Sequence, residues 1–491
     1  MSETINPQRK WVLVALMLTM MLAAMDITIV STAIPQIVGD LGGFSKFTWV
    51  FSIYLLAQTV TIPIYGKLSD LYGRKIILIT GVVIFLIGSA ASATAWDIYS
   101  LILFRGIQGI GAGSIMATVN TIAGDIYSVE ERAKIQGYLS SIWGISAIMG
   151  PTVGGALTEF INWRWIFLIN LPLGALSIYF LVAFFKKKVV PTKIKIDYKG
   201  AVLIVGTLVS LLLFLIEGGQ SWAWISWQSM TLFISALLLG ALTYRVEKRS
   251  SHAIIPMWLW KDKSLAYTNL AMIGMGIVLM GPEVFLPTFT QASLGLGIIA
   301  SGFVLASMSV GWPVASTLSG RLYLKIGFRE TALIGAIIIM LSCVFFVLIP
   351  KPQAIAMIVA TQIIMGAGFG LLSTPSLVGA QSRVSWQERG VVTSSIIFSR
   401  NLGQSLGATI VGAIFNNSLL QKMKTGPEGV EQLSPQELLS SLNQAQTSET
   451  IKQFIRDAIN SSMMYVYMGL IFFAFLISLF IYLMPATKKK Y

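Results

Sequence analysis

The sequence predicts an all-α integral membrane protein that crosses the bilayer fourteen times. Three observations lead there. Of the 491 residues, 55% are hydrophobic and only 11% are charged, and the mean hydropathy is +0.76. That is far too little charge to cover a soluble surface of this size. Apolar stretches of about 20 residues, the length of a spanning helix, recur along the whole chain. They are continuous rather than alternating, so a transmembrane β-barrel is excluded.

The fourteen stretches lie near 11–38, 47–65, 76–95, 98–122, 135–158, 164–185, 200–217, 228–244, 264–288, 297–320, 330–349, 354–378, 391–415 and 462–484. An even number puts both termini on one side. With that side inside, the inner segments carry 26 Lys and Arg and the outer ones 7; Arg105 and Arg400 fall within stretches and complete the 35. This bias sets the orientation, with both termini cytoplasmic. It also accounts for most of the net charge of +14, so nucleic acid is not expected as a partner. The inner KKK runs at 186–188 and 488–490 are placed to meet anionic lipid.

The opening MSETINPQRKW leads into an apolar run longer than a signal peptide, with no small-residue cleavage site after it, and reads as a retained first helix. A single cysteine, Cys343, excludes an internal disulfide, and no metal site is expected. The single His252 sits in a polar stretch and reads as solvated. The longest polar stretch, 416–461, lies outside. Within it Ser434 and Glu437 read as the capping box of a short surface helix.

The chain repeats itself. GKLSDLYGRK at 66–75 is echoed by GRLYLKIGFR at 320–329, and RGIQGIGAG at 105–113 by QIIMGAGFG at 362–370. The offsets are 254 and 257 residues. Two six-helix bundles are therefore expected, at 1–190 and 261–491, with an inserted pair of helices in 191–260. The second loop copy has Leu324 where Asp70 aligns, so no acidic contact is predicted there.

Several motifs carry further information. In the first loop, Lys67, Arg74 and Lys75 follow from topology, but Gly66, Asp70 and Gly73 do not. Gly66 permits close helix packing, and Asp70 is suited to a helix N-terminus and an arginine, with Arg132 one candidate partner. In the fourth stretch, Arg105, Gln108, Gly109, Gly111 and Gly113 stand together. A membrane-embedded arginine costs about 2.5–3.5 kcal/mol on insertion scales and must find a partner. The glycines suit helix packing, since no βαβ unit surrounds them to make a dinucleotide loop. In the fifth stretch, Gly137 and Ser146 precede Gly150, Pro151, Gly154 and Gly155. The first stretch holds DITIVSTAIP from Asp26 to Pro35, and WRWIFLINLP runs from Trp163 to Pro172.

Together these motifs resemble the major facilitator superfamily, specifically its fourteen-helix drug:proton antiporter branch, over nearly the whole chain. Ser146 and Ser31 depart from the family's usual Gly and Asn. The resemblance implies the major facilitator fold, two pseudo-symmetric six-helix bundles plus two inserted helices, in a bacterial cytoplasmic membrane. It also implies a proton-relay role for Arg105, an exporter's motif at Gly150, Pro151, Gly154 and Gly155, and a conformational latch at Gly66, Asp70, Gly73, Arg74 and Arg132.

Two carboxylates lie inside apolar stretches, Asp26 and Glu283, at matching positions of the two halves. A buried acid is able to hold and release a proton near neutral pH. Gly281, Pro282 and Pro287 loosen the helix around Glu283. Asp26 is either a proton site or a structural group bonding Thr28. Glu159 and Glu217 lie near outer ends and read as solvated. Tyr54 with Gln58, Gln108, and Asn401 with Gln404 are expected to line a substrate cavity, and Arg400 beside them needs a partner. The expected function is proton-coupled export of lipophilic or cationic compounds by alternating access, with no cofactor and as a monomer. Export of an endogenous lipid, peptide or metabolite, an uptake symporter and a non-transporting scaffold are the alternatives. An enzyme is not expected, because no nucleophile–base pair, metal cluster or nucleotide loop occurs.

Overall fold

The computed structural model describes residues 7–43, 46–186, 197–219, 221–250, 252–349, 354–424, 426–427 and 448–485. Regular structure among them is helical, apart from one isolated bridge between Gly218 and Trp222. Every predicted apolar stretch forms a helix. The first bends at Ala33, ahead of Pro35, into α1 (Pro7–Thr32) and α2 (Ile34–Leu41). Then come α3 (Thr48–Tyr72), α4 (Arg74–Ala93), α5 (Ile98–Ile126) and α6 (Val129–Phe160). The sixth stretch is α7 (Trp165–Leu168) with α8 (Asn170–Phe184), followed by α9 (Tyr198–Glu217) and α10 (Trp227–Arg249). A short α11 (Trp258–Lys261) leads to α12 (Lys263–Leu294), α13 (Ile298–Ala306) with α14 (Met308–Ile326), and α15 (Phe328–Leu348). The series closes with α16 (Ile355–Ser382), α17 (Arg389–Met423) and α18 (Glu449–Leu483).

Among the described residues, twelve helices are long and apolar enough to cross a membrane. The two other long helices, α6 and α17, match predicted stretches but are diluted by Gly, Ser and Thr. The polar stretch is shorter than 416–461, because α17 continues to Met423 and α18 begins at Glu449. Helix runs on through residues whose composition is polar, as the last turns of a long helix need no apolar face once they leave the bilayer. The capping box at Ser434 and Glu437 lies outside the described residues. Glu159 is exposed, but Glu217 is buried, 7% exposed, where the chain turns back at Gly218 towards Trp222.

Local chemistry sets the helix boundaries. Asp97 starts α5 by accepting the Ser100 N–H at 2.7 Å, and the Ser100 N–H and hydroxyl hold its carboxyl below the usual range. Ser128 and Glu131 form a capping box at the start of α6. The repeated loop glycines serve one purpose: Gly73, between α3 and α4, and Gly327, between α14 and α15, have φ of 95° and 109°. Side chains other than hydrogen rarely adopt that region.

The chain divides into two compact units, Met1–Ala266 with Ser376–Phe398, and Tyr267–Pro375 with Ser399–Tyr491. In the first, α5 packs on α3 and α4, α1 packs on α6 and α8, and α9 packs on α10 and α3. Glycines let these backbones touch: a Cβ on Gly109 would lie 2.5 Å from the Tyr54 carbonyl oxygen. In the second unit the same contact recurs 257 residues on, where a Cβ on Gly366 would stand 3.0 Å from the Met308 carbonyl carbon and one on Gly370 2.5 Å from the Trp312 oxygen. α15 packs on α18 there.

The fifth span repeats too. A Cβ on Gly150 would stand 2.7 Å from Thr28 Cβ, and one on Gly154 2.8 Å from Ile29 Cγ1, so this pair seats α6 on α1. Gly403 and Gly407, 253 residues later, seat α17 on α12 at Ile273 and Ile277. Gly155 faces open space.

Gly109→Ala is expected to destabilise the protein by about 1–3 kcal/mol, the usual cost of overpacking. Gly155→Ala is expected to be neutral. Thermal unfolding of the two variants in detergent separates them; equal loss would show that backbone proximity at Gly109 is not limiting.

Candidate functional site

The first unit buries a charged pair in its interior. Arg105 Nη1 meets Asp26 Oδ2 at 2.5 Å, with both side chains fully buried. Gln108 Nε2 donates to Asp26 Oδ1 at 2.7 Å and its Oε1 accepts from Arg105 at 2.8 Å. Asn170 Nδ2 donates to Asp26 Oδ1 at 3.4 Å and to Ser89 Oγ at 3.0 Å, while Ser89 donates to the Phe167 carbonyl at 2.8 Å. The guanidinium lies 4.3 Å from the Tyr54 ring centroid. Tyr54 and Gln58 are 1% and 3% exposed, so both are enclosed in the protein. Thr28 donates to the Met25 and Ser146 carbonyls, not to Asp26, and so ties α1 to α6 beside Gly150.

A second charged cluster forms at the C-terminal end of α3. Asp70 accepts from Arg74 Nη2 at 2.8 Å and from the backbone N–H groups of Gly390 and Val391 at 3.0 Å each. Those N–H groups open α17 and have no partner within the helix, so Asp70 satisfies them and meets the positive end of the helix dipole. Arg74 pairs with Asp125 at 2.8 Å, donates to the Trp386 carbonyl at 2.5 Å, and lies 4.0 Å from the Trp386 ring centroid. Arg389 pairs with the other Asp125 oxygen at 3.3 Å. Arg132 donates Nε to the Tyr127 carbonyl at 3.0 Å. Gly66 abuts Ser394 and Gly390, which brings the two helices close enough for these bonds.

The N-terminal end of α1 is held nearby. Tyr127 donates to the Arg9 carbonyl at 2.9 Å, and Arg9 pairs with Glu131 at 3.3 Å. Burial pushes the Tyr127 phenol up to about 12, keeping it a neutral donor. Lys75 donates to the carbonyls of Val182 and Phe185 at 3.2 and 2.7 Å, closing the C-terminus of α8.

In the second unit Glu283 is exposed, on α12, which runs on through Pro282 and Pro287. Arg400 acts on it electrostatically without an ion pair between them. Asn401 and Gln404 are half-buried on the same helix as Arg400. Leu324, at the Asp70 position of the repeat, is exposed. Among the described residues, no group of three or more His, Cys, Asp or Glu could hold a metal ion.

Asp125, Arg389, Trp386, Asn170 and Ser89 were not legible as site residues. Each is an unremarkable polar or aromatic residue until a distant element meets it. Gly403 and Gly407 did carry a signal, the GxxxG spacing of Gly150 and Gly154 repeated 253 residues on, close to the offsets of 254 and 257 of the other repeats.

Asp26→Asn or Arg105→Leu alone leaves a buried charge unpaired, and either is expected to cost about 3–5 kcal/mol. The double variant is expected to recover most of that stability. Thermal unfolding of the three proteins checks this, and additive losses would refute the pairing.

A family model described as the Major Facilitator Superfamily matches residues 16–408. "Multidrug resistance protein 3" of Bacillus subtilis (strain 168) is 35% identical over 471 residues, covering 94% of this chain and 92% of that protein. "Multidrug transporter protein MdtP" of the same organism is 36% identical over 411 residues, covering 83% and 76%. The fold is similar to that of the human organic anion transporter MFSD10 (TETRAN), with a TM-score of 0.60 at 13% identity over 94% of this chain and 100% of that one. The geometry, the family model and a relative matched along almost its full length agree: this multi-pass membrane protein belongs to the Major Facilitator Superfamily.

Proposed function

We propose that the protein exports lipophilic, cationic or related amphipathic compounds across a bacterial cytoplasmic membrane, in exchange for protons, by alternating access. The observation that carries this reading is the contrast between two membrane acids. Asp26 is neutralised by Arg105 and wrapped in amide donors. Glu283 is exposed and, among the described residues, has no ion-pair partner, on a helix that carries Pro282 and Pro287 within it. An unpaired acid inside a membrane protein has strong reason to take up a proton or a cation. The names of the relatives from Bacillus subtilis, both multidrug proteins, support the substrate class.

In this reading residues 1–190 and 261–491 act as the two bundles, 191–260 supplies the inserted pair, and the protein works as a monomer with both termini inside. Glu283 is the coupling acid, and the Asp26–Arg105 pair is a fixed, compensated charge of the first unit. The Asp70 cluster is the cytoplasmic latch that must open once in each cycle. One proton entering down about 100 mV carries about 2.3 kcal/mol. That sustains about a fiftyfold gradient of a neutral substrate at one proton each.

Uptake of tetraphenylphosphonium into inverted vesicles tests the reading. It is expected to stop when the proton gradient and potential are collapsed, and to be lost in Glu283→Gln at unchanged expression. Persistence in both cases would sink the proposal. Asp70→Asn is expected to slow transport about tenfold or more, since it removes a buried charge from two helix-terminal N–H groups and an arginine. Unchanged transport and unchanged cysteine accessibility on the two membrane faces would reduce the stretch to a connecting loop.

A further inference from the structure

Two arginines stand within the apolar stretches of this chain, Arg105 and Arg400, and they are treated differently. Arg105 meets Asp26 at 2.5 Å and donates to Gln108 at 2.8 Å. Arg400 is half-buried, and its Nε is enclosed without a hydrogen-bond partner. Among the described residues, Glu283 is the charged group acting on it, and the two make no ion pair. The proposed exchange uses Glu283 and leaves Arg400 without a task. An arginine at membrane depth is costly to keep, and its usual place is a functional site.

Close helix packing fixes where Arg400 stands relative to Glu283. A Cβ on Gly276 of α12 would run into the Arg400 carbonyl oxygen and stand 2.7 Å from the Gln404 nitrogen. One on Gly403 would stand 2.8 Å from the Ile273 carbonyl carbon, and one on Gly407 2.7 Å from the Ile277 Cα. These contacts advance together along both helices, so α12 and α17 run in the same direction with their backbones touching. Glu283 lies two turns beyond Gly276, about 10 Å along α12. Half-buried Asn401 and Gln404 follow Arg400 on α17, in the turn that leads towards the level of Glu283. The α12–α17 seam therefore carries an acid, an arginine about two turns away, and carboxamides in the interval.

We infer that Arg400 is a second recognition point of the Glu283 site, which takes zwitterionic compounds: a cationic centre at Glu283 and an anionic oxygen group, such as a carboxylate, at Arg400. Arginine stays charged at any working pH, and its planar fork matches a carboxylate. A ligand carrying one charge of each sign gives both protein charges a partner. A purely cationic ligand meets Glu283 but leaves Arg400 unpaired and repelling it. The inference rests on the reading of Glu283 as the coupling acid, and the test separates the two.

The experiment measures binding of two probes to the purified full-length protein. One is carboxybutyl-triphenylphosphonium, a zwitterion at neutral pH, and the other is its methyl ester, a cation of nearly the same shape. Wild type is expected to bind the zwitterion at least about tenfold more tightly, the scale of one hydrogen bond to a charged group. Arg400→Gln is expected to abolish that preference. Arg400→Lys keeps the charge without the fork and is expected to retain only part of it. Glu283→Gln is expected to lose the ester. Equal or tighter binding of the ester by wild type would overturn the inference without any variant having to fold. So would a preference of wild-type size in Arg400→Gln or, if that protein does not fold, in Arg400→Lys. Wild-type affinity for the ester in Glu283→Gln would overturn the reading of Glu283 and the inference with it.

Discussion

A charge in the interior of a membrane protein has no water to turn to, so it must be met by another group of the chain. The Asp26–Arg105 pair is where that demand is met most fully. Its partners come from four spans: Asp26 from α1, Ser89 from α4, Arg105 and Gln108 from α5, and Asn170 from α8. Each span is apolar enough to sit anywhere in a bilayer, where lipid tails are as good a neighbour as leucine. The buried charges and their hydrogen bonds restrict that freedom, because parting these spans would strand Asp26 and Arg105.

The same demand acts at helix ends. The opening turn of α17 presents N–H groups that no residue of its own helix can satisfy. Asp70 satisfies two of them and meets Arg74, which in turn neutralises Asp125 together with Arg389. Two acids and two arginines balance, with Asp70, Arg74 and Asp125 almost wholly buried. Small residues make this possible: Gly66 and Gly390 bring the two backbones within reach. The repeat at 320–329 keeps the turn at Gly327 but has Leu324 in place of the acid. The fold has retained the turn in both halves and the charge chemistry in one.

Much of the fold was legible because membrane helices announce themselves one at a time. Hydropathy located all fourteen helical stretches. Glycine spacing marked which helix faces pack closely. The candidate sites were legible only in part. That Arg105 needs a partner follows from its place in an apolar run, but its choice of Asp26, 79 residues away, does not. Asp70 and Arg74 are four apart, a spacing that would suggest a helical pair, yet Gly73 breaks the helix between them and the contact spans a turn. Arg132 was one candidate partner by position, and it donates to the Tyr127 carbonyl. Glu217 read as solvated because it lies at a helix end, and the turn from Gly218 to Trp222 encloses it.

The sequence by itself determined what each span is made of, where it enters and leaves, and that two halves share one pattern. These are properties of single segments against a lipid background, set by local composition and by repeats offset by 253 to 257 residues. Only the tertiary structure decided that Asp26 is ion-paired and Glu283 is not. Both are lone acids in apolar stretches, and compensation depends on which side chain a different helix presents. Arg105 of α5 reaches Asp26, while Arg400 of α17 makes no ion pair with Glu283, so two acids that look alike along the chain hold different charge environments in the fold.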